Sequence, residues 1–185
     1  ELLHRQIAPE TIRDIIGSGI AASPGAAAGQ IVFTAEAALA CKSREEPCIL
    51  VRRETSPEDI RGMHAASAVL TERGGMTSHA AVIGRGMGVP CVVGASSIRF
   101  YIQKKQLVSG DGRIFEEGDV ITVDGTEGQI LAGKSEMVEA SLDESFRTLM
   151  DWAEEACDIE IRANADTAAD AQTARNFSAR GIGLC

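Results

Sequence analysis

The chain has 185 residues, a length that suits one domain of ordinary size or one domain and part of another. Hydrophobic residues make up 44% and charged residues 24%, so a packed core is expected and a disordered chain is excluded. The formal net charge of −9 counts against nucleic-acid binding, because an acidic protein repels the phosphate backbone.

The five cysteines are odd in number and form no C-x-x-C pair, which argues against a zinc site. Widely spaced cysteines of this kind are typical of buried thiols in a reducing compartment. No stretch resembles a signal peptide or a membrane span, and we expect a cytoplasmic protein. We also expect a fragment of a longer protein, because residues 181–185 resemble the beginning of a strand.

The first part of the chain alternates strands with helices. Residues 1–18 are polar and irregular, with a helical tendency over 9–16, and we interpret them as an incoming linker. Ser56 is a good N-cap and Pro57 suits the first helical position, so a helix is predicted to begin there. The other elements predicted in this part are strands at 30–33, 48–51, 68–71 and 91–93, and helices at 35–42 and about 77–85.

Glycine-containing turns separate the shorter strands that follow, which are predicted at 107–108, 114–115, 120–123 and 130–131. The pattern predicts an α/β domain that closes near Gly133. Apolar residues then recur at helical spacing from Leu142 to Ala153, which predicts an amphipathic connector helix. A strand over 159–165 and a capped helix that opens at Thr167 and stops at Gly181 form the first unit of a parallel α/β domain.

A histidine stands at the centre of the most distinctive segment. A strand ends at Thr71, Gly74 and Gly75 turn the chain, and the predicted helix places His79 in its first turn. Free N–H groups and the positive end of the helix dipole gather at such a terminus, which is the geometry that holds a phosphate. Glycines also let the backbone approach an anion closely.

Three side chains beside His79 can add donors to an anion: Arg73, Thr77 and Ser78. A histidine that accepts a phosphoryl group from one compound and passes it to another needs both an exposed nucleophile and oxyanion donors. The residues alone leave a second interpretation open, which is an exposed helix N-terminus with an incidental histidine.

Two strings around this histidine resemble a known motif. Residues 74–83 read Gly-Gly-Met-Thr-Ser-His-Ala-Ala-Val-Ile, and residues 85–92 read Arg-Gly-Met-Gly-Val-Pro-Cys-Val. Together they closely resemble the phosphohistidine motif of the phosphoenolpyruvate-utilising enzymes. Further strings resemble the pyruvate phosphate dikinases among them, at residues 54–60 and 62–66 and, where their pyruvate-binding barrel begins, at 162–167 and 181–185. The resemblance covers nearly the whole chain.

The resemblance implies a fold and a domain organisation. It implies a swivelling β/β/α phosphohistidine domain at 19–133, between an N-terminal linker at 1–18 and a linker helix at 134–156. Residues 157–185 then begin a truncated (α/β)8 barrel that binds phosphoenolpyruvate and pyruvate.

The resemblance also implies an activity for the parent enzyme, which converts ATP, phosphate and pyruvate reversibly to AMP, diphosphate and phosphoenolpyruvate. The phosphoryl group travels between a nucleotide-binding ATP-grasp domain and the barrel of the same chain. Mg²⁺ serves both partner sites, and we expect no metal on this segment. A homodimeric parent is expected, without a nucleic-acid or membrane partner.

The resemblance implies His79 as the phosphorylated residue and a phosphate-stabilising role for its neighbours Arg73, Gly74, Gly75, Thr77 and Ser78. Thr77 is also implied as a regulatory phosphorylation site for a kinase and phosphatase; the alternative is that it only caps the helix. Arg162 is implied as a phosphate ligand of the barrel, and its alternative is a surface salt bridge.

Other functions stay open at this stage. Phosphoenolpyruvate synthase and the phosphotransferase-system enzyme I share the motif, and a non-catalytic docking module is the alternative for the segment taken alone. One departure from the family pattern is Gly84, where alanine is usual. A glycine inside a helix costs roughly 1 kcal/mol relative to alanine, so the helix after His79 is expected to be loosened.

Overall fold

The computed structural model describes residues 4–138, 144–157, 159–165, 167–176 and 179–183. The chain divides into two compact units, Glu1–Ser141 and Leu142–Cys185, and each is described by itself. No helix among the described residues is long and apolar enough to cross a membrane.

Unit 1 contains thirteen strands and three α-helices in its described part. The strands are β1 (Gln6–Ile7), β2 (Ile15–Ser18), β3 (Ile20–Ser23), β4 (Ala26–Val32), β5 (Cys48–Arg52), β6 (Ala68–Thr71), β7 (Cys91–Val93), β8 (Arg99–Tyr101), β9 (Gln106–Val108), β10 (Ile114–Glu116), β11 (Val120–Asp124), β12 (Gln129–Ala132) and β13 (Met137–Val138). The helices are α1 (Ala35–Ser43), α2 (Ile60–Ala65) and α3 (His79–Met87), and 3-10 turns cover Pro57–Asp59 and Ile102–Lys104.

An eight-stranded mixed sheet forms the centre of unit 1, in the order β2-β12-β11-β4-β5-β6-β7-β3. Strands β4 to β7 are parallel neighbours, and the flanking strands pair antiparallel. Because parallel strands end at a common edge, the loops that leave β5 and β6 meet there. Strands β8 to β10 form a separate three-stranded antiparallel sheet, and β1 pairs with β13.

The central sheet is covered on both faces. The side chains of Ile49, Leu50 and Val51 are fully buried, as expected for an inner parallel strand that reads as a continuous apolar run. Leu50 belongs to the core shared with the three helices, whereas Ile49 and Val51 belong to the core shared with Phe100 and Leu107 of the small sheet. Helices therefore cover one face and a second sheet the other, and the α/β prediction is confirmed.

The N-terminal segment differs from its prediction. The helical tendency over 9–16 is wrong, because the segment supplies strands β1 and β2, whose Ile7 and Ile16 are both 4% exposed. Between them, Arg13 donates to Asp124 at 3.0 Å and to Gln129 at 2.8 Å. Burial of the two isoleucines in strand pairing outweighed the weak local helix propensity.

Unit 2 contains α4 (Glu144–Ala156), β14 (Arg162–Ala163), α5 (Ala168–Asn176) and β15 (Gly181–Ile182) in its described part. The amphipathic helix predicted from Leu142 is present as α4, and β14 and β15 pair in parallel as predicted. Thr167 and Asp170 form the reciprocal capping box, with N–H to side-chain distances of 3.0 and 3.2 Å. The helix ends at Asn176, before the predicted stop, and the strand predicted over 159–165 is only two residues long.

Candidate functional site

The glycine loop, residues 72–78, connects β6 to α3 at the carboxyl edge of the parallel strands. Its first residues still follow the neighbouring strand, since the N–H of Arg73 donates to the carbonyl of Arg53 at 2.9 Å. The chain then turns at Gly74, whose φ of +120° is a conformation that glycine alone adopts readily. The N–H of Ser78 closes the turn on the carbonyl of Gly75 at 2.9 Å.

Ser78 is the N-cap of α3, and its Oγ accepts a hydrogen bond from the N–H of Ala81 at 3.4 Å. The helix therefore begins at His79, two residues later than predicted. The first N–H groups of an α-helix have no carbonyl partner within the helix and carry the positive end of its dipole. His79 is thus the residue closest to a ready anion site.

The imidazole of His79 is held from a second loop. Thr55, which follows β5, places its Oγ1 3.1 Å from Nδ1 of His79. Both side chains are half-buried. The structure gives no hydrogen bond to the second ring nitrogen, Nε2, among the described residues. Thr55 therefore fixes the ring orientation and leaves Nε2 for chemistry.

Residues 44–128 match the family described as "PEP-utilising enzyme, mobile domain". The matched residues run from just before β5 to just before β12 and include Thr55, the glycine loop and His79. Over its full length it is 53% identical to the pyruvate, phosphate dikinase of Rhizobium meliloti (strain 1021) and 49% identical to that of Clostridium symbiosum. It is 46% identical to the chloroplastic pyruvate, phosphate dikinase of Flaveria pringlei. The chain spans about a fifth of the length of these relatives.

Thr77 of the glycine loop is exposed and lies just before the N-cap. The alternative that Thr77 caps the helix is wrong, because Ser78 does so. The loop is also tied to the far end of α3, since Arg85 donates to the carbonyl of Met76 at 2.7 Å. Arg73 is exposed and forms no salt bridge with another described residue, so its guanidinium is available to an anion.

The predicted site residues fall into two groups. One continuous segment of unit 1 brings together Arg73, Gly74, Gly75, Thr77, Ser78 and His79. Arg162 lies in unit 2, on β14, where its Nη2 is 3.3 Å from Glu160 Oε2. The two side chains of this ion pair are 62% and 60% exposed to solvent. The described residues contain no group of three or more His, Cys, Asp or Glu side chains that could hold a metal ion.

Thr55 and Arg85 are functional candidates that the sequence analysis missed. Thr55 stands three residues after a buried parallel strand, next to the strand that leads to His79, and that placement is a usable signal. Arg85 gives no such signal, because its bond to a loop carbonyl depends on how α3 is oriented.

Proposed function

We propose that this chain is the phosphoryl-carrying segment of a pyruvate, phosphate dikinase and that His79 carries the group. The observation that supports this proposal best is the placement of His79 at a helix start, with Nδ1 held by Thr55 and Nε2 without a hydrogen bond to the described residues. The parent reaction converts ATP, phosphate and pyruvate to AMP, diphosphate and phosphoenolpyruvate.

In the proposed transfer, Nδ1–H donates to Oγ1 of Thr55, so the lone pair of the neutral ring is on Nε2. Nε2 attacks the β-phosphorus of ATP, the P–O bond to AMP breaks and a P–N bond forms; phosphate then attacks the terminal phosphorus, and diphosphate leaves a single phosphoryl group on Nε2. In the last step the enolate oxygen of pyruvate attacks phosphorus, and the electrons of the P–N bond return to Nε2. Arg73 and the first N–H groups of α3 stabilise the phosphoryl oxygens.

The donor and acceptor sites lie, in this proposal, in a nucleotide-binding ATP-grasp domain and a barrel for phosphoenolpyruvate and pyruvate in the parent chain. Of the two expected hinges, 134–156 stays in this proposal, whereas β1 and β2 hold much of 1–18 in the paired strands of unit 1. The parallel β14-α5-β15 unit supports residues 157–185 as the start of the barrel, with Arg162 as a phosphate ligand there. Mg²⁺, which the family implies, does not fit the described residues, and no step here uses it.

The central test is labelling of the full-length parent protein with radioactive phosphoenolpyruvate. His79→Asn should take no acid-labile label, whereas the matched control His64→Asn, an exposed histidine on α2, should be labelled like wild type. Acid-labile label on the His79→Asn protein contradicts the proposal.

Variants of Thr55 test whether its hydroxyl positions the ring of His79. Thr55→Val removes the hydroxyl that contacts Nδ1 but keeps the shape of the side chain. We expect the labelling of His79 to slow about tenfold, because the lost hydrogen bond contributes about 1–1.5 kcal/mol. Thr55→Ser retains the hydroxyl and should restore most of the rate. If both variants are labelled as fast as wild type, Thr55 does not position the ring.

We further propose Thr77 as a regulatory phosphorylation site, because it is exposed and lies two residues from His79. A phosphate on Thr77 brings negative charge next to the nucleophile and repels an incoming phosphoryl group. Thr77→Asp should block labelling of His79 without lowering the melting temperature, and Thr77→Asn is the uncharged control. Full labelling of His79 in Thr77→Asp would contradict the proposal that negative charge at residue 77 repels the incoming phosphoryl group.

A further inference from the structure

A buried carboxylate lies beside the loop that supplies Thr55. We call residues 53–56 the Thr55 loop, which connects β5 to the 3-10 turn at Pro57–Asp59. The side chain of Asp59 is only 5% exposed to solvent. Its Oδ2 accepts a hydrogen bond from the N–H of Ser56 at 2.9 Å, and the hydroxyl of Ser56 donates to the same oxygen at 3.3 Å. A buried carboxylate is stable only when its oxygens are bonded, so these contacts are strong constraints on the loop.

The bond to Ser56 constrains Thr55 directly. The N–H of Ser56 belongs to the planar peptide unit that also contains the carbonyl of Thr55. Holding this N–H against Asp59 therefore fixes the peptide plane on one side of the Cα atom from which the Thr55 side chain projects. Oγ1 of Thr55 lies 3.1 Å from Nδ1 of His79, and a displacement of about 1 Å would take the two atoms out of hydrogen-bonding range.

Arg52 connects the same carboxylate to the sheet. Its Nε lies 3.3 Å from Asp59, and its Nη1 donates to the carbonyl of Phe33, directly after β4, at 3.1 Å. The backbone of Arg52 is itself held by β6, since its carbonyl accepts a hydrogen bond from the N–H of Glu72 at 3.2 Å. The Thr55 loop is therefore fixed at both ends, by strand pairing where it begins and by Asp59 where it stops.

We propose that Asp59 is a positioning residue for His79: together with Arg52 it fixes the Thr55 loop, and Thr55 in turn orients the imidazole. This inference rests on the proposed function. Because Asp59 acts on the histidine through Thr55, loss of its charge should slow phosphoryl transfer only while the hydroxyl of Thr55 is present. A carboxylate that merely stabilised the fold would not show this dependence on Thr55.

Asp59→Asn is the variant that tests this role. An asparagine side chain has one acceptor oxygen, and its amide nitrogen is a donor. Whichever way the amide turns, a donor faces either the N–H of Ser56 or the guanidinium of Arg52, so one of the two connections is lost. Arg52→Lys is a milder variant, because it keeps the positive charge but lacks the planar fork that reaches both Asp59 and the carbonyl of Phe33.

Asp124 offers a matched control at the opposite edge of the sheet. It pairs with Ala26 at the start of β4, whereas His79 lies where the parallel strands end. Its side chain is 4% exposed, Oδ1 accepts the N–H of Thr126 at 3.0 Å, and Oδ2 pairs with Arg13 at 3.0 Å. Asp124→Asn therefore removes an equivalent buried charge without touching the Thr55 loop.

The test is a double-mutant cycle in the full-length parent protein, measured as the single-turnover rate of His79 labelling from radioactive phosphoenolpyruvate. Asp59→Asn should slow labelling about three- to tenfold, since it can remove at most the contribution that Thr55 makes. Combined with Thr55→Val, it should cause less than about twofold further slowing. Asp124→Asn should be labelled like wild type, although it should lower the melting temperature about as much as Asp59→Asn does.

Three results overturn the inference: a wild-type rate in Asp59→Asn, a loss that multiplies with that of Thr55→Val, or an equal loss in Asp124→Asn. A wild-type rate in Thr55→Val also overturns it and leaves His79 as the carrier. If the melting temperature shows that Asp59→Asn does not fold, Arg52→Lys replaces it in the cycle, and its loss too must disappear in the Thr55→Val background. If wild-type His79 takes no label at all, the proposed function fails.

Discussion

Adjacent Gly74 and Gly75 are expected to respond very differently to substitution by alanine, although their sequence context is the same. Gly74 has a φ of +120°, whereas Gly75 is not among the residues with positive φ. A Cβ on Gly74 lies 2.9 Å from Oγ of Ser78, while a Cβ on Gly75 meets no atom within 4 Å. Gly74→Ala therefore strains the backbone and displaces the helix cap, and Gly75→Ala does neither.

The destabilisation expected for Gly74→Ala follows from the backbone strain and the lost helix cap. Holding a residue with a Cβ in this region of φ costs about 1–3 kcal/mol. Loss of the bond from the N–H of Ala81 to Ser78 costs about 0.5–2 kcal/mol, so the backbone strain and the lost cap together reach about 1.5–5 kcal/mol. For a chain of this size each kcal/mol lowers the melting temperature by about 2–4 °C, so Gly74→Ala should melt roughly 3–20 °C below wild type.

Thermal unfolding of the 185-residue chain, followed by circular dichroism, measures this difference directly. Gly75→Ala is the matched control and should lie within about 0.5 kcal/mol of wild type. Equal melting temperatures for the two variants, or a wild-type value for Gly74→Ala, would refute the claim that Gly74 is required by its backbone conformation.

Two further predictions concern glycines and thiols. Gly86→Ala should raise the free energy of unfolding, measured in urea, by up to about 1 kcal/mol, because its Cβ meets nothing within 4 Å. Gly84→Ala should gain less stability, since its Cβ lies 3.0 Å from Cβ of Cys91. Stabilisation of Gly84→Ala equal to that of Gly86→Ala would contradict this. Burial raises the pKa of both Cys48 and Cys91 to about 12, so at pH 8 a thiol reagent should modify exposed Cys157 rapidly and these two only after unfolding. Their fast modification in the native chain would show that the helix layer opens.

Strands that lie in the middle of the sheet could be predicted from the sequence, because burial on both faces leaves a continuous apolar run such as 48–51. Strands β1, β2 and β3 could not, since they are short edge or flanking strands with mixed polarity. Their pairing partners are far along the chain: β2 pairs with β12 and β3 with β7. Local propensity carries no signal for such contacts.

The interpretation of Gly84 shows the same limit for a single residue. From the sequence this glycine was expected to loosen α3, because alanine is the better helix former. In the fold Gly84 is buried against Cys91, and the glycine leaves room for that side chain. Helix propensity is a local quantity, whereas the space available beside a helix depends on the strand that packs against it.

The site itself is explained by the topology of the sheet. Parallel β5 and β6 end at one edge, so the loop that supplies Thr55 and the loop that leads to His79 meet there. A helix that starts at this edge directs its free N–H groups outward, where a phosphoryl group on Nε2 can be both stabilised and reached by a partner. The proposed carrier must also release its group, and exposed Arg73 suits this need because a solvated ion pair contributes only about 0–1 kcal/mol. Firm positioning of the ring by Thr55 and a weak hold on the phosphoryl group are therefore complementary requirements.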